Sequence, residues 1–158
     1  MSSASSPPAS SSNRVSKRQN LLYILIALLS LCGLADAIYL TVEHITGQSV
    51  RCTIIAGCSE VLSSSYAVVG GFPLASIGAL AYFGVFCLAI LTLFGYRMAG
   101  SLLSPLVTGM CFVSIWLIYL QAFVIHAFCQ FCLLSAAITF GLTALVIVLW
   151  RIGRHTRI

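Results

Sequence analysis

Residues 128–132 read Phe128-Cys129-Gln130-Phe131-Cys132, at the head of an apolar run that continues through Leu133-Leu134 to Trp150. A Cys-x-x-Cys pair can close a strained, readily exchanged disulfide. If a helix starts there, its unpaired N–H groups and macrodipole favour the first sulfur as thiolate. The run behind the pair is long enough to cross a bilayer, which takes roughly 20 apolar residues. A redox-type dithiol at the mouth of a membrane helix raises two questions. One is what feeds electrons into the pair; the other is what in the bilayer takes them out.

The remaining sequence supports a membrane setting. The chain is 60% hydrophobic and only 7% charged, whereas about a quarter of an ordinary soluble domain is charged. Three further apolar runs occur, at about Leu21–Val42, Pro73–Phe94 and Leu102–His126, before the last at Cys129–Trp150. The expected fold is all-α: a polytopic membrane protein with a four-transmembrane-helix bundle over residues 21–150. Residues 1–20 are Ser/Pro-rich, then basic at Arg14, Lys17 and Arg18, which predicts a disordered tail. Residues 151–158 form a short basic tail. Leu21–Leu34 followed by Ala35-Asp36-Ala37 has the outline of a signal peptide, but the run continues through Ile38–Val42 and argues against cleavage. The acid-free, Ser-rich start also has the composition of a short plastid transit peptide. The net charge of +5 does not point to nucleic acid, because the basic residues lie at membrane edges rather than in a patch with aromatics.

Orientation follows from those basic residues. Arg14, Lys17 and Arg18 precede the first run, Arg97 lies between the second and third, and Arg151, Arg154 and Arg157 follow the fourth. Four spans put all of them on one face, predicted cytoplasmic together with both termini. The loop at about Glu43–Phe72 and the link His126–Phe128 then face outward. Cys52, Cys58, Cys129 and Cys132 therefore share one face, in a compartment that permits disulfides.

The first loop has its own pattern. Cys52-x5-Cys58 can close a small ring. Ser59 reads as a helix N-cap with Glu60 in the first turn. Val61–Tyr66 is too short to span and fits a short interfacial helix. Gly70-Gly71-Phe72-Pro73 marks the turn into the second span, with Pro73 acceptable in a first helical turn.

Of the seven cysteines, Cys32, Cys87 and Cys111 lie inside apolar runs and read as core residues. The two remaining pairs admit three readings. They form a relay, in which one pair exchanges with soluble dithiols and passes electrons to the other. They are inert bridges on a non-enzymatic transporter subunit or scaffold. Or they hold zinc, against which stand the Cys-x5-Cys spacing and an oxidising exterior; no metal is expected. Haem attachment would require His after Cys132, where Leu133 stands. Asp36, inside the first run, is an ionisable group in a costly place and a candidate for proton delivery; its bland alternative is a solvated or helix-paired carboxyl. Phe128 and Phe131 are candidates for the apolar wall of a pocket. His44 and His126 read as interface residues, and Tyr119 and Gln121 as interhelical polar contacts.

These motifs together resemble the bacterial-type vitamin K epoxide reductase family. The resemblance runs from about Leu31 to Leu149. It rests on Ala37-Ile38-Tyr39-Leu40-Thr41 with His44, on Cys52…Gly57-Cys58-Ser59-x-Val61-Leu62-Ser63-Ser64, on Gly71-x-Pro73…Gly78…Tyr82, and on Tyr119-Leu120…Phe128-Cys129-x-x-Cys132. Pair order is its most specific feature: the loop pair precedes the helix pair, the reverse of DsbB-type proteins. The resemblance implies a four-helix bundle around a quinone of ubiquinone, menaquinone or phylloquinone type, with the helix pair beside it and Ser64 touching a quinone oxygen. It implies a bacterial inner-membrane location and disulfide-forming activity. Many bacterial members carry a fused thioredoxin-like domain after the fourth span, where only Arg151–Ile158 follow here. The expected partner is therefore a trans-acting, periplasmic or luminal thioredoxin-fold (DsbA-like) protein. Animal members carry Tyr four residues after the second helix cysteine; Ala136 stands there and favours a plain quinone over an epoxide.

Overall fold

A computed structural model describes residues 9–46, 61, 68, 69 and 71–155. Four long helices make up nearly all of it: α1 (Ala9–Thr46), α2 (Leu74–Leu93), α3 (Arg97–Leu120) and α4 (Gln130–His155). Four helical stretches are long and apolar enough to cross a membrane: Lys17–Thr46, Leu74–Leu93, Met98–Ile125, which runs on past the end of α3, and Gln130–Gly153. The protein is a four-helix membrane bundle. Its exposed surface carries large apolar side chains such as Leu80, Phe83, Phe112 and Trp116, as a lipid-facing surface must. The hydroxyls of Ser30, Thr41, Thr92, Thr108 and Thr143 bond back to carbonyls of their own helices, which satisfies them without water.

Several boundaries differ from expectation. The segment expected as a tail is helical from Ala9. Past Pro8 nothing breaks the helix, and Arg14, Lys17, Arg18 and Gln19 are good helix formers. At the other end α4 runs on through Arg151 to His155 for the same reason. The expected turn into the second span contains a two-residue antiparallel pairing, β1 (Val68–Val69) with β2 (Phe72–Pro73). Of the expected interfacial helix only Val61 is described; it is helical and buried. Cys52, Cys58, Ser64 and the rest of that loop lie outside the described residues.

Neighbours in sequence are neighbours in space. α1 packs on α2, α2 on α3 and α3 on α4, and α4 closes the ring against α1. The α2–α3 connection is a tight Schellman turn. Gly95, at φ +94°, donates to Thr92 O at 3.0 Å, and Tyr96 N–H reaches Leu91 O at 3.1 Å. Glycine takes that backbone conformation without strain, and the two bonds satisfy carbonyls the helix end would leave bare.

The packed core contains Ile26, Ala27 and Ala37 of α1, Tyr82, Val85 and Ala89 of α2, Leu103 and Val107 of α3, and Ile138 and Leu142 of α4. Tyr82 pins α2 to α4. Its hydroxyl donates to Ser135 O at 2.8 Å and lies 2.9 Å from the hydroxyls of Ser135 and Thr139. The ring fits because Gly33 faces it: a Cβ at Gly33 would run into the Tyr82 ring. Most of this core lies between Tyr82 and the end of the bundle where α1 begins. Beyond Tyr82, toward the α1 C-terminus, the helices face one another with small residues, and the bundle opens.

Candidate active site

The Cys-x-x-Cys stretch closes that open end. After Leu120 the third span continues as one turn of π-helix, Gln121–Ile125. His126 then takes a left-handed conformation at φ 55°, which His tolerates better than bulkier or branched residues. Ala127, Phe128 and Cys129 complete the reversal, and α4 begins at Gln130.

Cys129 sits at the N-cap. Its carbonyl accepts the first turn's bond from Leu133 N–H at 3.0 Å. Its sulfur takes the role an Asp or Ser oxygen plays in a usual cap, accepting Cys132 N–H at 3.4 Å. The residue is fully buried, packed with Val61 and Ala127 and flanked by Ile125, Phe131 and Cys132. Its own N–H donates to Gln121 Oε1 at 3.0 Å. The Cys132 thiol beside it holds the Cys129 thiol down at about 7; burial opposes this, and the N–H groups of Cys132 and Phe131 reinforce it.

The acidity of Cys129 sets an expected pH profile. The lowered value means that thiolate forms as pH rises through about 7, rather than near 8.5 as for a free cysteine. In a protein with Cys32, Cys52, Cys58, Cys87 and Cys111 changed to alanine, ultraviolet thiolate absorbance of the reduced pair should show its first midpoint near 7. A first midpoint above 8 would contradict the capping arrangement.

Cys132, one turn on, lines a cavity of about 140 Å³ between the four helices. The space exists because small residues face inward: Ala37 of α1, Ala75 and Gly78 of α2, Ser114 of α3, Ser135 and Ala136 of α4. Leu40, Leu117, Leu120 and Ile125 make the wall greasy, and Gln121 and His44 add polar groups. A second cavity shares Gly78, Ser114, Leu117 and Ser135 with it and runs between α2, α3 and α4 past Tyr82 and Thr139. The two cavities adjoin across these shared residues, the first beside the dithiol and the second nearer the middle of the bundle.

The other predicted residues are placed as follows. Phe131 is partly buried, its ring 5.0 Å from that of Tyr39. Phe128 is 42% exposed. Neither lines the cavity, whose wall is mostly aliphatic. Asp36 is 9% exposed, and its Oδ2 has no hydrogen-bond partner among the described residues. Among the described residues no cluster of three His, Cys, Asp or Glu side chains could hold a metal. Tyr119 stacks on Trp116 and meets Phe123 at a tilt on an exposed face, an aromatic belt rather than an interhelical contact. Gln121 was legible as a polar contact but not as the acceptor for Cys129, since its partner lies beyond an irregular turn. Tyr82 and Ser135 join α2 to α4 at the cavity floor, and the hydroxyl of Ser135, three residues past Cys132, was the available signal.

The sequence profile of the vitamin K epoxide reductase family matches residues 24–147. This chain belongs to that family. The match begins within α1 and ends within α4, so it takes in all four spans and both cysteine pairs. Among curated relatives, the thiol-disulfide oxidoreductase LTO1 of Arabidopsis thaliana is 34% identical over 117 residues. That similarity covers 68% of this chain and 31% of the relative. The vitamin K epoxide reductase assignment agrees with the four-helix bundle and with a Cys-x-x-Cys pair at the mouth of an apolar cavity.

Proposed function

We propose that this protein is a membrane thiol–disulfide oxidoreductase that passes electrons from a dithiol partner to a quinone and so supports disulfide-bond formation. One observation carries the reading: Cys132 lines an apolar cavity inside the bundle while Cys129, its pair, caps the helix from a site packed against Val61 of the first loop. The relative's name, a thiol-disulfide oxidoreductase, supports the thiol half. The apolar wall with a few polar groups suits a ring dione better than a charged substrate. When bound, a quinone accepts two electrons and two protons and leaves as a quinol.

The chain's own residues do the rest. A reduced thioredoxin-fold partner attacks the Cys52–Cys58 disulfide, and its second thiol resolves the mixed disulfide, leaving both loop cysteines reduced. A loop thiolate then attacks Cys129 in the Cys129–Cys132 disulfide. The S–S bond breaks, and Cys132 leaves as a thiolate facing the cavity. The second loop thiol attacks the first, reforming Cys52–Cys58 and releasing Cys129. The lowered pKa of Cys129 makes it a good leaving group in that step. Cys129 and Cys132 together then surrender two electrons and two protons, and their disulfide reforms. Asp36, whose buried Oδ2 has no hydrogen-bond partner among the described residues, is the proposed proton relay, and Ser64 a donor to the quinone oxygen. Phe128 and Phe131 shield the sulfurs on the loop side. The asymmetry of basic residues supports cytoplasmic termini and an outward-facing dithiol in a bacterial-type plasma membrane.

The relay separates two electron donors. With purified protein and ubiquinone, Cys52→Ala or Cys58→Ala should abolish turnover driven by a reduced thioredoxin-fold protein. Dithiothreitol, small enough to reach the helix pair directly, should still bleach quinone absorbance within about threefold of the unaltered protein, because it bypasses the loop. Equal protein-driven rates with and without the loop cysteines would defeat the relay. Inert structural bridges would give no quinone bleaching with either donor.

A further inference from the structure

Gln121 is 3% exposed, in the π-helical turn at the end of the third span. Single π turns inside α-helices are often found at functional sites. The Gln121 side chain does two things at once. Its Oε1 accepts the N–H of Cys129 at 3.0 Å, and the same side chain lines the cavity beside Cys132. A backbone N–H can only donate, so this bond fixes the orientation of the amide: oxygen toward Cys129, NH2 away from it. An amide NH2 in a wall made mostly of Leu117, Leu120, Ile125 and Ala136 is a directed donor in an apolar site. Such a donor discriminates strongly in favour of a ligand oxygen, because little else there can satisfy it.

We infer that Gln121 is a two-way positioning residue: its carbonyl fixes the backbone of Cys129, and its NH2 donates to a ring carbonyl oxygen of a dione ligand seated beside Cys132. The second half rests on the quinone reading proposed above. One side chain would thereby set both the sulfur and the acceptor in register. As electrons arrive, negative charge grows on that oxygen, and a donor already aimed at it stabilises the change without reorganising.

Two substitutions separate the halves, read in the full-length protein with dithiothreitol and ubiquinone-1. Gln121→Leu removes both groups. The equilibrium of the Cys129–Cys132 disulfide with dithiothreitol should shift by about tenfold, and KM for ubiquinone-1 should rise by about tenfold, the scale of one lost buried hydrogen bond. Gln121→Glu keeps an oxygen for the Cys129 N–H, so its disulfide equilibrium should stay within about twofold of the unaltered protein. Its carboxyl donates only while protonated. The ratio of its kcat/KM to that of the unaltered protein should therefore fall as pH rises. Cys129, Cys132, His44 and Asp36, titratable groups at this end of the bundle, are common to both proteins, and the Gln121→Glu disulfide equilibrium read at each pH shows what the new carboxylate does to the thiols apart from the ligand. A Gln121→Leu equilibrium equal to the unaltered one would overturn the backbone half. A ratio flat with pH in Gln121→Glu would overturn the ligand half, and general damage to the fold would produce no such slope. If the unaltered protein reduces no ubiquinone-1, the oxidoreductase reading fails and takes the ligand half with it. The disulfide equilibrium needs no quinone and still decides the backbone half.

Discussion

Cys132→Ala is expected to abolish quinone reduction whatever the electron donor, a loss on the order of 10³ or more, as when one member of a catalytic unit is removed. The sulfur that lines the cavity is the one that faces the acceptor, and a lone Cys129 cannot supply two electrons by reforming an internal disulfide. Cys129→Ala should lose as much, and the double variant no more than either, because the two sulfurs act as one group. The variants should differ in what accumulates. Without Cys132, the Cys129 thiolate attacks the Cys52–Cys58 disulfide and holds a mixed disulfide with one loop cysteine while the other leaves as a thiolate; without Cys129 that species should be absent. Non-reducing gels after acid quenching distinguish them. Equal accumulation in both variants would contradict the assignment of Cys129 as the exchanging sulfur.

Gly78→Leu is expected to cost nearly all quinone turnover while sparing the fold. Gly78 lines both cavities, and a Cβ there meets nothing within 4 Å. The Cβ enters open space, and the rest of a leucine side chain would take up the volume the ligand would use. In the helix it should stabilise by about 0.5–1 kcal/mol relative to glycine. The prediction is a thermal midpoint in detergent unchanged or raised, KM for ubiquinone-1 raised by about two orders of magnitude, and disulfide exchange between dithiothreitol and the Cys129–Cys132 pair near normal. Two orders correspond to about 2.7 kcal/mol of binding, in the range for filling an apolar pocket with one aliphatic side chain. Normal quinone kinetics in a well-folded Gly78→Leu protein would place the acceptor elsewhere.

The sequence carries the four spans plainly, because long apolar runs are a composition signal that tertiary context does not override. It also carries the helix start at Cys129, where the change from loop to apolar run coincides with the cysteine spacing. The ends of α1 and α4 are less legible. Basic and small polar residues read equally well as tail or as helix, and only the absence of a breaker after Pro8 decides. The cavity is harder still. Ala37, Gly78, Ser114, Ser135 and Ala136 are ordinary membrane-helix residues until four helices bring them to one depth. Phe128 and Phe131 drew attention as aromatics next to the dithiol, yet the wall is aliphatic and built from residues distant in sequence. Gln121 is hidden by geometry: a π turn and a left-handed His126 separate it from the N–H it satisfies, and no sequence period anticipates either. For Cys52, Cys58 and Ser64 the sequence pattern remains the whole basis.

The most direct measurement is a single turnover under anaerobic conditions. Protein carrying only Cys129 and Cys132, fully reduced and freed of dithiol, is mixed with excess ubiquinone-1, quenched with acid and alkylated. One quinol per protein, with Cys129 and Cys132 recovered as a single internal disulfide in peptide mass analysis, is the predicted result. A pair that stays reduced while the quinone remains unchanged would contradict electron transfer from this dithiol.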